Sequence, residues 1–103
     1  MKAGKKIKDL LYEVRKAVLQ DEYIYSVHAQ FRMEDREVSR QEVLFVLLNG
    51  VHEKSKDVFD FQVKRWKYAI CGKTVESRGL RIVVTFAEDG LLIITVIQIG
   101  KKQ

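Results

Sequence analysis

Two residues that could carry out phosphodiester chemistry lie four positions apart in the chain, His28 and Arg32. On an α-helix this spacing puts both side chains on one face, one turn apart. An imidazole can move the proton of a ribose 2′-hydroxyl, and a guanidinium can hold phosphate oxygens in a fork. The pair therefore suits the cleavage of RNA. The alternative is a partly buried histidine that binds a backbone carbonyl, with Arg32 as a solvated helix charge.

A second group of cations lies in the C-terminal half of the chain, where strands are predicted. Arg65 and Lys67 alternate onto one face of a strand, and Arg78 and Arg81 flank the start of the next. Such a face can neutralise the backbone of an RNA strand. The alternative is that these side chains simply solvate the uncovered side of a sheet.

Metal and aromatic binding sites are not indicated by the sequence. The potential metal ligands His28, His52 and Cys71 include no closely spaced pair, so neither a metal nor a cofactor is expected. Trp66 and Tyr68 alternate to the face opposite the strand lysine. We interpret both rings as part of the core rather than as a surface on which bases stack.

The charge of the chain favours a polyanionic partner. Its 103 residues contain 19 Lys and Arg against 14 Asp and Glu, a formal net charge of +5. Residues 1–20 hold six basic and two acidic side chains, residues 21–60 hold five and nine, and residues 61–103 hold eight and three. The excess at both ends of the chain predicts RNA as the partner class.

The length predicts a single domain over residues 1–103, with residues 1–4 frayed at its start. No apolar stretch is long enough to cross a bilayer, so no membrane association is expected. The lone Cys71 cannot form an intramolecular disulfide, which is typical of a reducing, cytoplasmic setting.

Apolar spacing and capping residues predict three helices, over residues 5–20, 27–35 and 40–49. Ser26 is expected to cap the second helix, and Ser39 and Glu42 form a capping box at the start of the third. Asn49-Gly50 predicts a left-handed stop at the end of the third helix.

Alternating apolar residues predict four strands, over residues 59–63, 66–71, 80–86 and 91–99. Residues 23–25 form either a brief strand or an extended lead-in, and Gly90 is expected to supply a positive φ in the last hairpin. Helices that precede strands indicate an α+β fold. We expect N-terminal helices packed on one face of a twisted, mainly antiparallel four-stranded sheet.

A longer block of residues around His28 resembles a known family. The block reads Tyr25-Ser26-x-His28-Ala29-x-x-Arg32-Met33-x-x-Arg36, followed by Val38-Ser39 and a helix that ends in Asn49-Gly50. The strands add Gly72, Arg78-Gly79-Leu80-Arg81-Ile82-Val83-Val84 and Ile94-Thr95-Val96. Over about residues 23–99 the chain resembles the domain-of-unknown-function family DUF4258.

This resemblance implies a fold similar to that of the RelE, ParE and BrnT toxins. It also implies a role as the toxin of a bacterial type II toxin–antitoxin pair, with a cognate antitoxin protein as partner. Members of that superfamily are commonly ribonucleases that act on messenger RNA, often at the ribosome, whereas ParE-like members act on gyrase. The expected function is therefore that of a metal-independent endoribonuclease. The alternative is a non-catalytic module of the same fold that binds RNA, the ribosome or a protein target.

The site residues expected for an endoribonuclease fall into two groups. The expected catalytic residues are His28 as general base or acid and, around the scissile phosphate, Arg32, Arg78 and Arg81. The residues expected to bind the rest of the RNA are Arg65, Lys67 and Arg36.

Overall fold

The fold is α+β, as predicted, and the computed structural model describes residues 5–100. The frayed start predicted for residues 1–4 lies outside these residues. In chain order the elements are α1 (Leu10–Leu19), β1 (Tyr23–Tyr25), α2 (Val27–Arg36), α3 (Arg40–Asn49), β2 (Val51–His52), a short 3-10 turn (Lys54–Lys56), β3 (Val58–Asp60), β4 (Arg65–Lys73), β5 (Gly79–Ala87) and β6 (Gly90–Ile99). None of the helices within residues 5–100 is long and apolar enough to cross a membrane.

The second and third helices begin where their caps predict. The Ser26 hydroxyl accepts a hydrogen bond from the Ala29 amide at the start of α2. Ser39 and Glu42 form the reciprocal capping box at the start of α3. Each cap satisfies backbone donors that the first helical turn leaves without a partner.

The predicted start of the first helix, at residue 5, is wrong by five residues. Asp9 caps α1 instead, and its side chain accepts a hydrogen bond from the Tyr12 amide over 3.4 Å. The preceding segment is held by tertiary structure, because the Ile7 amide donates to the Tyr68 hydroxyl over 2.9 Å. That long-range contact leaves no sequence signal.

The predicted left-handed stop at Gly50 is also wrong. Gly50 has a φ of −83°, which any residue can adopt. A Cβ there would lie 2.5 Å from the Cys71 carbonyl oxygen and 2.7 Å from the Val46 carbonyl oxygen. Glycine is therefore required by the close approach of α3 to β4. Gly90 does have the expected positive φ, +130°.

The sheet contains six strands in the described part of the chain, rather than the four predicted. Its order is β1-β6-β5-β4-β2, and β3 pairs with another part of β4. Only the β1–β6 pair is parallel among the described pairs. One additional strand is β1, where residues 23–25 adopt the brief strand that was one of the two readings of this segment. The other is β2, which has two residues and is too short for alternation to reveal.

All three helices cover one face of the sheet. Leu80, Ile82 and Val84 of β5 are completely buried in a core that also contains side chains of α1, α2 and α3. Successive side chains of a strand point to opposite faces, so Arg81 and Val83 lie on the face that the helices do not cover. We refer to that side as the open face.

Candidate functional site

The start of α2 is fixed to an irregularity in the central sheet. The pairing of β5 with β6 shifts between Val83 and Val84, which leaves Ile94 as an extra residue on β6. Its carbonyl accepts a hydrogen bond from the Ser26 hydroxyl over 2.8 Å, while the Ser26 amide donates to the Ile93 carbonyl over 2.9 Å. A β-bulge of this kind often changes the direction of a side chain next to a functional site. Ser26 therefore sets the position of the next residues, including His28.

His28 lies in the first turn of α2 and is exposed, and Arg32 lies one turn later and is half-buried. Within residues 5–100, neither side chain makes a hydrogen bond or an ion pair. Val27 and Phe31 form an adjacent apolar ridge and are 83% and 62% exposed. The helix thus presents an imidazole, a guanidinium and an aromatic ring to solvent, all three available to a ligand.

Arg36 follows on the same helix, one further turn along, and its guanidinium lies 3.5 Å from the Asp35 carboxylate. Its carbonyl is one of two at the end of α2 that accept hydrogen bonds from Arg78; the other is the Glu37 carbonyl, at 2.8 Å. Arg78 thereby satisfies acceptors that the last helical turn leaves free. Residues 28 and 36 are separated by roughly 12 Å of helix rise, so Arg78 and His28 lie at opposite ends of α2.

Arg81 lies on the open face and is bound to Glu53. Its Nε and Nη2 donate to the two carboxylate oxygens of Glu53 over 2.7 and 3.0 Å. These bonds lower the pKa of the Glu53 carboxyl. Cys71 is the β4 residue opposite Arg81, and burial, followed by the charge of Glu53, raises the pKa of its thiol. A thiol with a raised pKa is a poor nucleophile at neutral pH.

We expect Arg81→Gln to raise the pKa of Glu53 towards that of an ordinary glutamate, because the bidentate donor is lost. A carboxyl whose pKa is depressed in the folded state adds stability at neutral pH, and this stability is lost as the pH falls through the folded-state pKa. The wild type should therefore lose more stability on acidification than the variant. NMR titration of the Glu53 carboxyl carbon measures the shift directly. Arg65→Gln, on the same sheet face but away from Glu53, should leave that titration unchanged.

Arg65 and Lys67 lie on the open-face side of the β3–β4 hairpin. They pair across the hairpin with Asp60 and Val58, respectively. Lys67 is bound diagonally, with its Nζ 3.1 Å from an Asp60 carboxylate oxygen. Arg65 is exposed and forms no ion pair with any residue of the described chain.

The predicted catalytic residues therefore occupy three places. His28 and Arg32 share one face of α2, Arg78 caps the C-terminal end of that helix, and Arg81 lies on the open face of the sheet. The structure places His28 and Arg32 on one helix face, as their spacing predicted. It does not place Arg78 and Arg81 around that pair.

A buried network surrounds Asp57, whose side chain is only 1% exposed, and no sequence pattern indicated it. One carboxylate oxygen accepts from His52 Nε2 over 2.8 Å and from Lys6 Nζ over 3.0 Å. The other accepts from the Ala69 amide over 3.1 Å. The five-residue spacing of His52 and Asp57 matches no helical or strand period, so only tertiary structure reveals the pair. Across residues 5–100, no group of three or more His, Cys, Asp or Glu side chains is placed to hold a metal ion.

Comparison with known proteins identifies the family of this chain. Neither the curated proteins nor the solved structures include a match to this chain. A family model described as a domain of unknown function matches residues 25–98, which include all of α2, α3, β4 and β5 and all but the last residue of β6. The match covers well over half of the chain and contains the Ser26 cap, His28 and Arg32. The chain therefore belongs to the domain-of-unknown-function family DUF4258.

Proposed function

We propose that this protein is the toxin of a bacterial type II toxin–antitoxin pair and a metal-independent endoribonuclease that cleaves messenger RNA. The observation that carries the proposal is the His28–Arg32 pair, solvent-accessible and without a protein partner in the described chain. An anchored helix start and a basic chain support it. The α+β arrangement is compatible with a RelE, ParE or BrnT-like fold.

In the proposed reaction, His28 accepts the proton of a ribose 2′-hydroxyl as that oxygen attacks the adjacent phosphorus. The new bond from O2′ to phosphorus forms as the bond from phosphorus to O5′ breaks. The leaving O5′ takes a proton from water, and the hydroxide left behind is neutralised by the proton that the imidazolium releases. The products are a 2′,3′-cyclic phosphate and a 5′-hydroxyl. Arg32 holds the phosphate oxygens and stabilises the charge that develops on them.

Arg78 and Arg81 have different roles in this proposal from those first expected. Arg78 caps the C-terminal end of α2 by donating hydrogen bonds to the Arg36 and Glu37 carbonyls. Arg81 forms an ion pair with Glu53 on the open face. Arg36, Arg65 and Lys67 are proposed to bind the RNA backbone away from the scissile bond, without reading its sequence. A cognate antitoxin would regulate the toxin in the cytoplasm.

We expect the wild-type protein to cleave RNA in single-turnover reactions that contain a metal chelator. Replacing the single ribose 5′ of the cleaved bond by deoxyribose should abolish cutting there, because the nucleophile is absent. Mass spectrometry of the fragments should identify a 2′,3′-cyclic phosphate end. Cleavage that persists at the deoxyribose site would overturn the proposed mechanism.

The second candidate is a non-catalytic module of the same fold that binds RNA, the ribosome or a protein target. It is favoured because Arg78 and Arg81 are already bound within the protein, Arg78 to carbonyl groups and Arg81 to Glu53. RNA that is bound and recovered intact, both free and on ribosomes, would select this candidate.

A further inference from the structure

The β3–β4 hairpin carries three aromatic rings in consecutive contact, which we call the aromatic ladder: Phe61, Phe59 and Trp66. Phe61 and Phe59 meet edge-to-face with ring centroids 4.8 Å apart, and Phe59 and Trp66 meet in the same way at 5.5 Å. Phe59 and Trp66 are also direct partners across the hairpin. Edge-to-face contacts of this kind fix the orientation of each ring relative to the next.

The outer ring of the ladder faces water, on a turn that hydrogen bonds hold closed. Phe61 is 80% exposed, more than any other aromatic side chain among the exposed apolar residues. The turn that carries it is closed by Asp60, whose side chain accepts from the Gln62 and Val63 amides. The Lys64 amide donates to the Asp60 carbonyl over 2.7 Å. A large exposed ring on a closed turn indicates a binding surface rather than a core residue left uncovered.

Lysines lie in the chain segments next to both ends of the ladder. At the inner end, Lys6 Nζ lies 4.6 Å from the centre of the Trp66 ring and is paired with Asp57 over 3.0 Å. Lys5 and Lys8 of the same segment are exposed. At the outer end, Lys64 directly follows the turn, is exposed and forms no ion pair in the described chain. Aromatic faces bordered by cations are complementary to a strand of bases on a phosphate backbone. A purely apolar protein segment would gain nothing from these charges.

We propose that the aromatic ladder is a binding platform for single-stranded RNA, with one base stacked on Phe61 and neighbouring phosphates held by the exposed lysines Lys5, Lys8 and Lys64. The inference rests on the proposed function in that the strand is RNA, but it requires no cleavage. It adds to the His28–Arg32 pair a second contact that would hold the substrate without reading its sequence. Stacking tolerates any base because every base has a π-face.

The test uses Trp66, the single tryptophan of the chain, as a fluorescent reporter within the ladder. The probe is 2′-O-methyl oligouridine of about eight nucleotides, which cannot be cut by 2′-hydroxyl attack. We expect it to change the fluorescence on binding, and Phe61→Ala to raise the Kd by about 5-fold to about 150-fold. Phe61→Tyr keeps the ring and should bind as tightly as the wild type. Phe61→Leu keeps an apolar side chain without a ring and should bind as weakly as Phe61→Ala.

Val75→Ala is the matched control, because Val75 is 81% exposed on a different turn. Its Kd should equal that of the wild type. The inference is overturned if the wild type does not bind the probe, if Phe61→Ala binds as tightly as the wild type, or if Phe61→Leu retains full affinity, as a site for an apolar protein segment would predict. Binding that depends on Phe61 in a protein that cleaves no RNA would refute the proposed endoribonuclease and leave the platform intact.

Discussion

Replacing His28 by alanine should slow RNA cleavage by roughly 10²-fold to 10⁴-fold, the contribution typical of a side chain that transfers a proton in the transition state. The fold should survive the change. His28 is exposed and has no partner within residues 5–100, and substitutions at such positions usually change the free energy of unfolding by less than about 0.5 kcal/mol. Single-turnover cleavage at saturating protein measures the chemical step, and chemical unfolding of the same preparation verifies the fold.

Two further variants separate proton transfer from other effects at the start of α2. Val27→Ala removes an exposed side chain from the same turn and should cleave at the wild-type rate. Arg32→Ala should slow cleavage as well. Arg32→Lys should restore little of the cleavage rate, because an ammonium group cannot bind a phosphate in the bidentate geometry of a guanidinium. If folded His28→Ala protein cleaves RNA as fast as the wild type, His28 has no part in the mechanism.

Local signals were sufficient to predict the part of the candidate site that lies on one helix. Ser26 fixes the start of α2 through a cap that involves only residues three positions apart. Once that start is known, the spacing of His28 and Arg32 determines that they share a face. The same reasoning placed α3, whose capping box is also local. It failed for α1, where the contact of Ile7 with Tyr68 spans 61 positions in the chain.

The partners of Arg78 and Arg81 could not be predicted in this way. Arg81 meets Glu53, 28 positions away, and Arg78 meets the end of α2, 41 and 42 positions away. Both contacts exist only after the sheet has formed and the helices have packed on it. A basic side chain at a strand position is compatible with a free phosphate-binding group and with a satisfied ion pair, and sequence alternation does not distinguish them. Only the open-face placement of Arg81 followed from its buried neighbours Leu80 and Ile82.

The Asp57 network lies at the base of the β3–β4 hairpin, which also carries the aromatic ladder. Asp57 is the residue before β3, and its carboxylate joins three separate segments: His52 of β2, Ala69 of β4 and Lys6 ahead of α1. Lys6 also lies over the Trp66 ring. Lys6 therefore links Asp57 to the Trp66 ring of the ladder, whereas His28 lies on a helix that takes no part in this network.

We expect Asp57→Ala to lower the free energy of unfolding by about 2–5 kcal/mol, because the donors around this buried carboxylate lose their acceptor, at a cost of roughly 1–3 kcal/mol each. The Ala69 amide and His52 Nε2 would lose their acceptor inside the protein. Urea unfolding followed by circular dichroism measures the loss. Asp35→Ala removes an exposed carboxylate that lies 3.5 Å from Arg36, and this control should cost no more than about 1 kcal/mol. Equal losses in the two variants would show that the Asp57 network contributes nothing special to stability.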